Sequence, residues 1–258
     1  MLRSLLQLSK LSISAFGLFL LVSCSSKQSS GRSQVMDEKA SVQYQFAYQA
    51  YEQGSLIPAL SACLKAVDLA PKNADARNLL GLIYFRQYKY KEAEETFKQA
   101  IEIDSSMSEI HNNLGTLYYE MKRYDDAFAS LERALENPLY LYPERIHNNR
   151  GLVLQAQQKY ALAQTEFERS MTLRPEFYLP YQNLGKLFYE QNEFTRAKPL
   201  FKEAGRLCTD CSEPRYYLGS LLLKENKASE ALKLFKAGAE MDPRGYYGEL
   251  CKKYIVQH

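Results

Sequence analysis

Residues 78–97 read NLLGLIYFRQYKYKEAEETF, and this stretch decides the fold. Gly81 is followed twelve residues on by Ala93, and four further on by Phe97. The glycine returns at Gly115, Gly151, Gly185 and Gly219, at spacings of 34, 36, 34 and 34. The alanine returns in phase at Ala127, Ala163, Ala197 and Ala231, and the bulky residue at Leu131, Phe167, Phe201 and Phe235. Upstream, Ala47, Ala59 and Cys63 continue the three series by one unit. Pro71, Pro175 and Pro243 close three of the units. Three series sharing one phase imply an array of identical supersecondary units rather than separate domains.

This period resembles the tetratricopeptide repeat, a helix–turn–helix of 34 residues. The resemblance implies an all-α, right-handed superhelical solenoid. Six units run 40–73, 74–107, 108–143, 144–177, 178–211 and 212–245. Within a unit, Gly or Ala on the first helix (A) and Ala on the second (B) let the two helices approach. The aromatic four residues after that Ala shares its helical face and fills the space beside it. One pair cannot bury its outer face, so units must stack and the ends must be capped. The tail, 246–258, carries Tyr247, Leu250 and Tyr254 at helical spacing and is expected to cap the last unit as a short helix. Pro199 falls inside the fifth B helix, which predicts a kink or a late start. Arg150 stands where an apolar residue is usual, so the fourth unit is expected to pack less tightly there or to let the Arg snorkel.

Outward from the array, Arg3 and Lys10 precede an apolar run, Leu11 to Val22, which is too short for a bilayer span of about 20 residues. Residues 1–23 therefore read as an export signal. Leu21-Val22-Ser23-Cys24 resembles the bacterial lipobox, which implies acylation of Cys24 and anchoring by lipid alone. Ser25 in the next position implies, by the same resemblance, sorting to the periplasmic face of the outer membrane. Residues 24–39 are polar and aperiodic over their first half and read as a flexible tether.

Composition narrows the partners. The chain has 258 residues, 46% hydrophobic and 24% charged, with a net charge of +3. Without Arg3 and Lys10 the balance is 31 basic against 30 acidic residues, which disfavours nucleic acid as a partner. Candidate binding residues lie on the A helices, which in the resembled fold line the concave groove. Three residues before each glycine stand Asn78, Asn112, Asn148 and Gln182; two before stand Asn113, Asn149 and Asn183. Four after stand Phe85, Tyr119, Gln155 and Tyr189, with Tyr51 in the first unit. Amides can pair with a peptide backbone, and Tyr adds contact area at low rotamer cost. The same amides equally suit a solvated groove. Leu82, Thr116 and Leu152 do not match the two-carboxylate clamp of chaperone-binding relatives.

Nothing in the sequence forms a catalytic constellation, and no cofactor or metal is expected. His111 and His147 share one repeat position and read as packing or groove residues. Cys208-Thr-Asp-Cys211 admits redox or zinc chemistry, but an oxidising compartment favours a structural disulfide. Cys63 is expected in the core and Cys251 in the tail. The two-residue insertion falls in Glu136-Asn-Pro-Leu-Tyr-Leu-Tyr-Pro-Glu-Arg145. Together with the lipobox and six repeats, this segment resembles the type IV pilus biogenesis and stability lipoproteins (the PilF/PilW/Tgl family). The resemblance implies a non-enzymatic pilotin that binds secretin subunits through its groove. The alternatives are another periplasmic scaffold lipoprotein and, from the enzyme class, thiol–disulfide exchange through Cys208 and Cys211.

Overall fold

The computed structural model describes the backbone of residues 23–257. Thirteen α-helices make up the elements of that part, in the order α1 (Ser23–Glu52), α2 (Leu56–Leu69), α3 (Ala74–Arg86), α4 (Tyr90–Ile103), α5 (Ser108–Glu120), α6 (Tyr124–Ala134), α7 (Pro143–Ala156), α8 (Tyr160–Leu173), α9 (Tyr178–Glu190), α10 (Phe194–Leu207), α11 (Ser212–Lys224), α12 (Ala228–Met241) and α13 (Tyr246–Gln257). They pair as hairpins, α1 with α2 through α11 with α12, and each B helix then packs on the next A helix. Neighbouring A helices also touch one another (α1–α3, α3–α5, α5–α7 and α7–α9), whereas the successive B helices make no comparable contact. The A helices therefore line the inner side of a curved solenoid.

The repeat signature has a direct steric meaning. A methyl group added at Gly81, Gly151 or Gly219 would sit 2.5–2.6 Å from the ring of Phe97, Phe167 or Phe235. At Gly115 it would meet Leu131 at 2.7 Å. The first unit solves the same problem in reverse. Ala47 replaces the glycine, and the small Cys63 replaces the aromatic, both fully buried. The Cys63 thiol lies 3.2 Å from the Ala76 carbonyl, and burial pushes its pKa up to about 12.

The turn from A to B is also repeated. Tyr88, Lys122, Gln158, Asn192 and Asn226 all have φ of 60–61°, and Gly54 has φ 74° in the first unit. Each lies seven residues after the repeat glycine or its alanine substitute. In each turn the following residue donates its N–H to the carbonyl five positions back, as Lys89 does to Tyr84 and Arg123 to Tyr118. This is the Schellman closure of a helix C-terminus.

Three expectations change. α1 is helical from Ser23, so residues 24–39 are helix in backbone rather than a flexible tether. Among the described side chains, burial begins at Ala40; a helix whose register is fixed there extends outward at one hydrogen bond per residue. Of the two effects expected of Pro199, the late start does not occur: α10 begins at Phe194, in the same register as the other B helices, and the ring faces solvent. Arg150 does not snorkel to solvent. Its guanidinium lies 4.7 Å from the Phe128 ring centroid, and Nη2 is 3.3 Å from Glu166 Oε1. At the far end α13 does cap the array, with Cys251 fully buried and the Tyr254 ring stacked on Phe235 at 4.7 Å. The expected export signal lies outside the described residues, as does the side chain of Cys24. Among the described residues no helix is long and apolar enough to cross a membrane.

Candidate functional site

On the inner side the amides of the A helices are brought together, but largely with one another. Asn113 Nδ2 donates to Asn78 Oδ1, Asn149 to Asn112, and Asn183 to Asn148, each at 2.9 Å. One ladder thus ties units two to five, the later unit always donating to the earlier. Its acceptors Asn78, Asn112 and Asn148 are buried, so each bond satisfies a group that water cannot reach. The ladder stops at the sixth unit, where Tyr217 replaces the donor Asn. Gln182 turns instead to Glu213, donating at 2.8 Å.

Glu213, in the first turn of α11, also lies 2.9 Å from Lys186 Nζ. Burial opposes the charge on Lys186, but the Glu213 carboxylate outweighs it and holds the ammonium above its ordinary range. Beside this pair Tyr217 stacks flat on Phe201 at 4.7 Å, and Tyr189 meets Tyr217 edge-on at 5.1 Å. Tyr119 and Phe85 continue the half-buried aromatic row toward the N-terminus, packed on Tyr124 and Tyr90. Gln155 interrupts the row and donates to Glu190 at 3.1 Å. The aromatic members thus remain partly open on the inner side, while the amides are spent on inter-unit bonds.

A second surface was not foreseen from sequence. Val42 is 66% exposed and Phe46 55%. The residues in Val42's repeat position elsewhere, Ala76, Ile110, Ile146, Pro180 and Pro214, are all buried. So are Leu80, Leu114, Leu184 and Leu218, the counterparts of Phe46. Those positions are covered by the preceding B helix, and among the described residues no hairpin precedes unit one. The exposed Ile57 and Leu64 of α2 add to this end, at positions that are charged, polar or Ala elsewhere. An open groove of about 580 Å³ runs between α1 and α2, with Val35, Val42 and Leu69 as its apolar lining and Lys39, Lys65 and Asp68 at its rim. The signal was present in the sequence, since Val42 and Phe46 carry the apolar stacking positions into the first repeat of the array.

The remaining predicted residues take structural places. Cys208 and Cys211 form a disulfide with Cα atoms 5.5 Å apart, which takes both sulfurs out of thiolate chemistry. Arg215 braces that loop by donating to the Thr209 and Cys211 carbonyls at 2.7 and 2.5 Å. The same position in earlier units does the same work, since Arg77 reaches Pro71 O and His111 lies 3.0 Å from Ser105 O. The insertion removes that option for His147. It is buried and lies with Nδ1 2.7 Å from Glu166 Oε2.

Stacked helix hairpins with a partly aromatic inner side and one uncovered end define a helical-repeat scaffold of the protein-interaction class. Matches to known proteins agree. The tetratricopeptide-repeat model matches residues 112–176 and 183–246, and the model of anaphase-promoting complex (cyclosome) subunit 3 matches residues 52–134. The chain belongs to the tetratricopeptide-repeat family. No curated protein matches the sequence. Among solved structures the chain is similar to PilF of Pseudomonas aeruginosa, with TM-score 0.69 and 23% identity over 84% of this chain and 98% of that one. It is also similar to PilW, described as a widely conserved type IV pilus biogenesis factor, with TM-score 0.71 and 21% identity over 82% and 97%. The Cut9–Hcn1 hetero-tetramer of the anaphase-promoting complex gives TM-score 0.72 at 13% identity, over 85% of this chain and 43% of that one.

Proposed function

We propose that this chain is a pilotin: a lipoprotein, acylated at Cys24, that holds its solenoid at the periplasmic face of the outer membrane and binds secretin subunits for type IV pilus assembly. The reading is supported by the lipobox, by the insertion segment from Asn137 to Glu144, and by a fold shared along nearly the full length of PilF and PilW. The observation that carries the binding claim is the bare stacking face of unit one. The position of Val42, buried in every later unit, and that of Phe46, a buried Leu in four of the five, are open there, so an amphipathic helix from a partner can dock as a B helix would. The half-buried row of Phe85, Tyr119 and Tyr189 offers a continuation on the inner side. A partner held there would be read by ring contact more than by the amides, whose hydrogen bonds are already made.

Co-purification with the secretin tests this directly. Phe46→Glu places a charge on the stacking face without touching a buried side chain, and is expected to reduce recovered secretin at least tenfold at unchanged helicity. Tyr119→Ala with Tyr189→Ala is expected to reduce it less. Full recovery with both variants would overturn the reading.

A further inference from the structure

We propose that the insertion between the third and fourth units is a membrane-contact site, at which Leu139 and Leu141 enter the boundary between lipid headgroups and acyl chains. Leu139 is 83% exposed and Leu141 76%. The two Tyr beside them are tied back to the array by side-chain contacts. Tyr140 donates its hydroxyl to Glu109 at 2.6 Å, and the guanidinium groups of Arg145 and Arg174 lie 4.9 and 5.4 Å from the Tyr142 ring centroid. The two Tyr rings meet edge-on at 5.9 Å, and Asn137 Oδ1 accepts from the Leu139 N–H at 3.0 Å. The alternation pins both leucines outward, so the ordering cost of presenting them is met by folding.

Shape and position select the ligand. The leucines form a protruding tip, not a groove, and a bilayer accepts such a tip without a matching cavity. Tyr and Arg around it are the side chains that settle at headgroup level, with an apolar body and a polar end. In an array of hairpins the A helices of successive units enter at the same edge, so α7, which follows the insertion, starts level with residue 39 of α1, and α1 runs on outward from there to Ser23. The apolar run Leu11–Val22 immediately precedes α1 in the sequence. Acylation at Cys24, as proposed above, anchors the outer end of α1 and so sets the bilayer on the side of the molecule toward which this edge faces. The stretch 23–39 spans about 25 Å as helix, and a tilt of α1 together with the array it belongs to brings the insertion to the surface. The inference rests on the proposed lipid anchor at Cys24 and not on the identity of any protein partner.

The chain contains no Trp, so one introduced indole reports a single place. Full-length Leu139→Trp protein, purified from membranes, would be reconstituted into phosphatidylethanolamine–phosphatidylglycerol vesicles carrying bromine on the acyl chains. Tyr88→Trp, at the opposite edge, is the control. Emission from the Leu139→Trp protein is expected to shift to the blue and be quenched at least twofold more than emission from the Tyr88→Trp control. Adding Leu141→Asp to the Leu139→Trp protein is expected to abolish the difference. Equal quenching in the two proteins overturns the proposal. So does a blue shift in the Leu139→Trp protein that requires added secretin and shows no bromine quenching, which would assign the tip to a protein. Mass spectrometry of the Cys24 peptide and secretin recovery are read separately, so failure of the lipoprotein or pilotin reading is distinguishable from failure here.

Discussion

Asn149 and Asn183 each have two available employments, and the difference is decided by what lies one unit away. An amide on the inner side can meet a ligand or the amide of the preceding unit, and the residue type is the same in both cases. In the folded chain the Asn183 Nδ2–Asn148 Oδ1 bond is buried, so its loss leaves the Asn148 Oδ1 acceptor without a donor and without water. Asn183→Ala is therefore expected to destabilise the protein by about 1–3 kcal/mol, seen as a lower urea midpoint. In the double variant with Asn148→Ala, the total should fall short of the sum of the singles, because both remove the same bond. Additive losses would show that the ladder is not an energetic unit. The glycine–aromatic pairs were legible because steric exclusion acts within one hairpin, over sixteen residues. The ladder was not, because its partner lies 35 residues away and depends on the curvature of the stack.

At the scale of the element, helix limits followed the repeat period closely, and the turns between helices did not announce themselves. A left-handed residue usually signals itself as Gly, yet Tyr88, Lys122 and Gln158 occupy that conformation. Only Gly54 shows the expected residue type. The B helices start from Lys89, Arg123, Lys159 and Glu193, none of which makes a side-chain cap bond. These residues are instead the last members of the preceding Schellman turn, which fixes the entry of the next helix. The left-handed conformation costs a side-chain-bearing residue about 1–2 kcal/mol, partly returned because Gly loses more entropy on folding. Lys122→Gly is thus expected to stabilise by about 0.5–1 kcal/mol, raising the urea midpoint. Asn192→Gly should do less, since Asn tolerates the region. A lower midpoint for Lys122→Gly would mean that its side chain supports the turn in a way the backbone account omits.

The whole molecule behaves as a one-dimensional stack, and its two ends are treated differently. The N-terminal face keeps Val42 and Phe46 bare, whereas the C-terminal face is closed by α13 through Cys251, Tyr254 and the Tyr247–Tyr216 contact. That asymmetry was half visible in the sequence. The tail's helical spacing predicted a cap, but which residue sits deepest, Cys251, depends on the close approach of Gly238. In such an array each unit is stabilised by its own hairpin and its nearest neighbours, so damage stays local until it reaches the end of the stack. Tyr254→Ala removes the ring stacked on Phe235 and leaves the last unit with an incomplete cover. Amide exchange in α11 and α12 is then expected to accelerate ten- to a hundredfold, while protection in α4 to α6, supported on both sides, should hold. The disulfide and Arg215 tie the loop entering α11, so exchange should spread from α12 before it reaches α11. Uniform acceleration from α3 to α12 would show instead that the stack opens as one cooperative body, and that its stability is set by the weakest junction and not by the end cap.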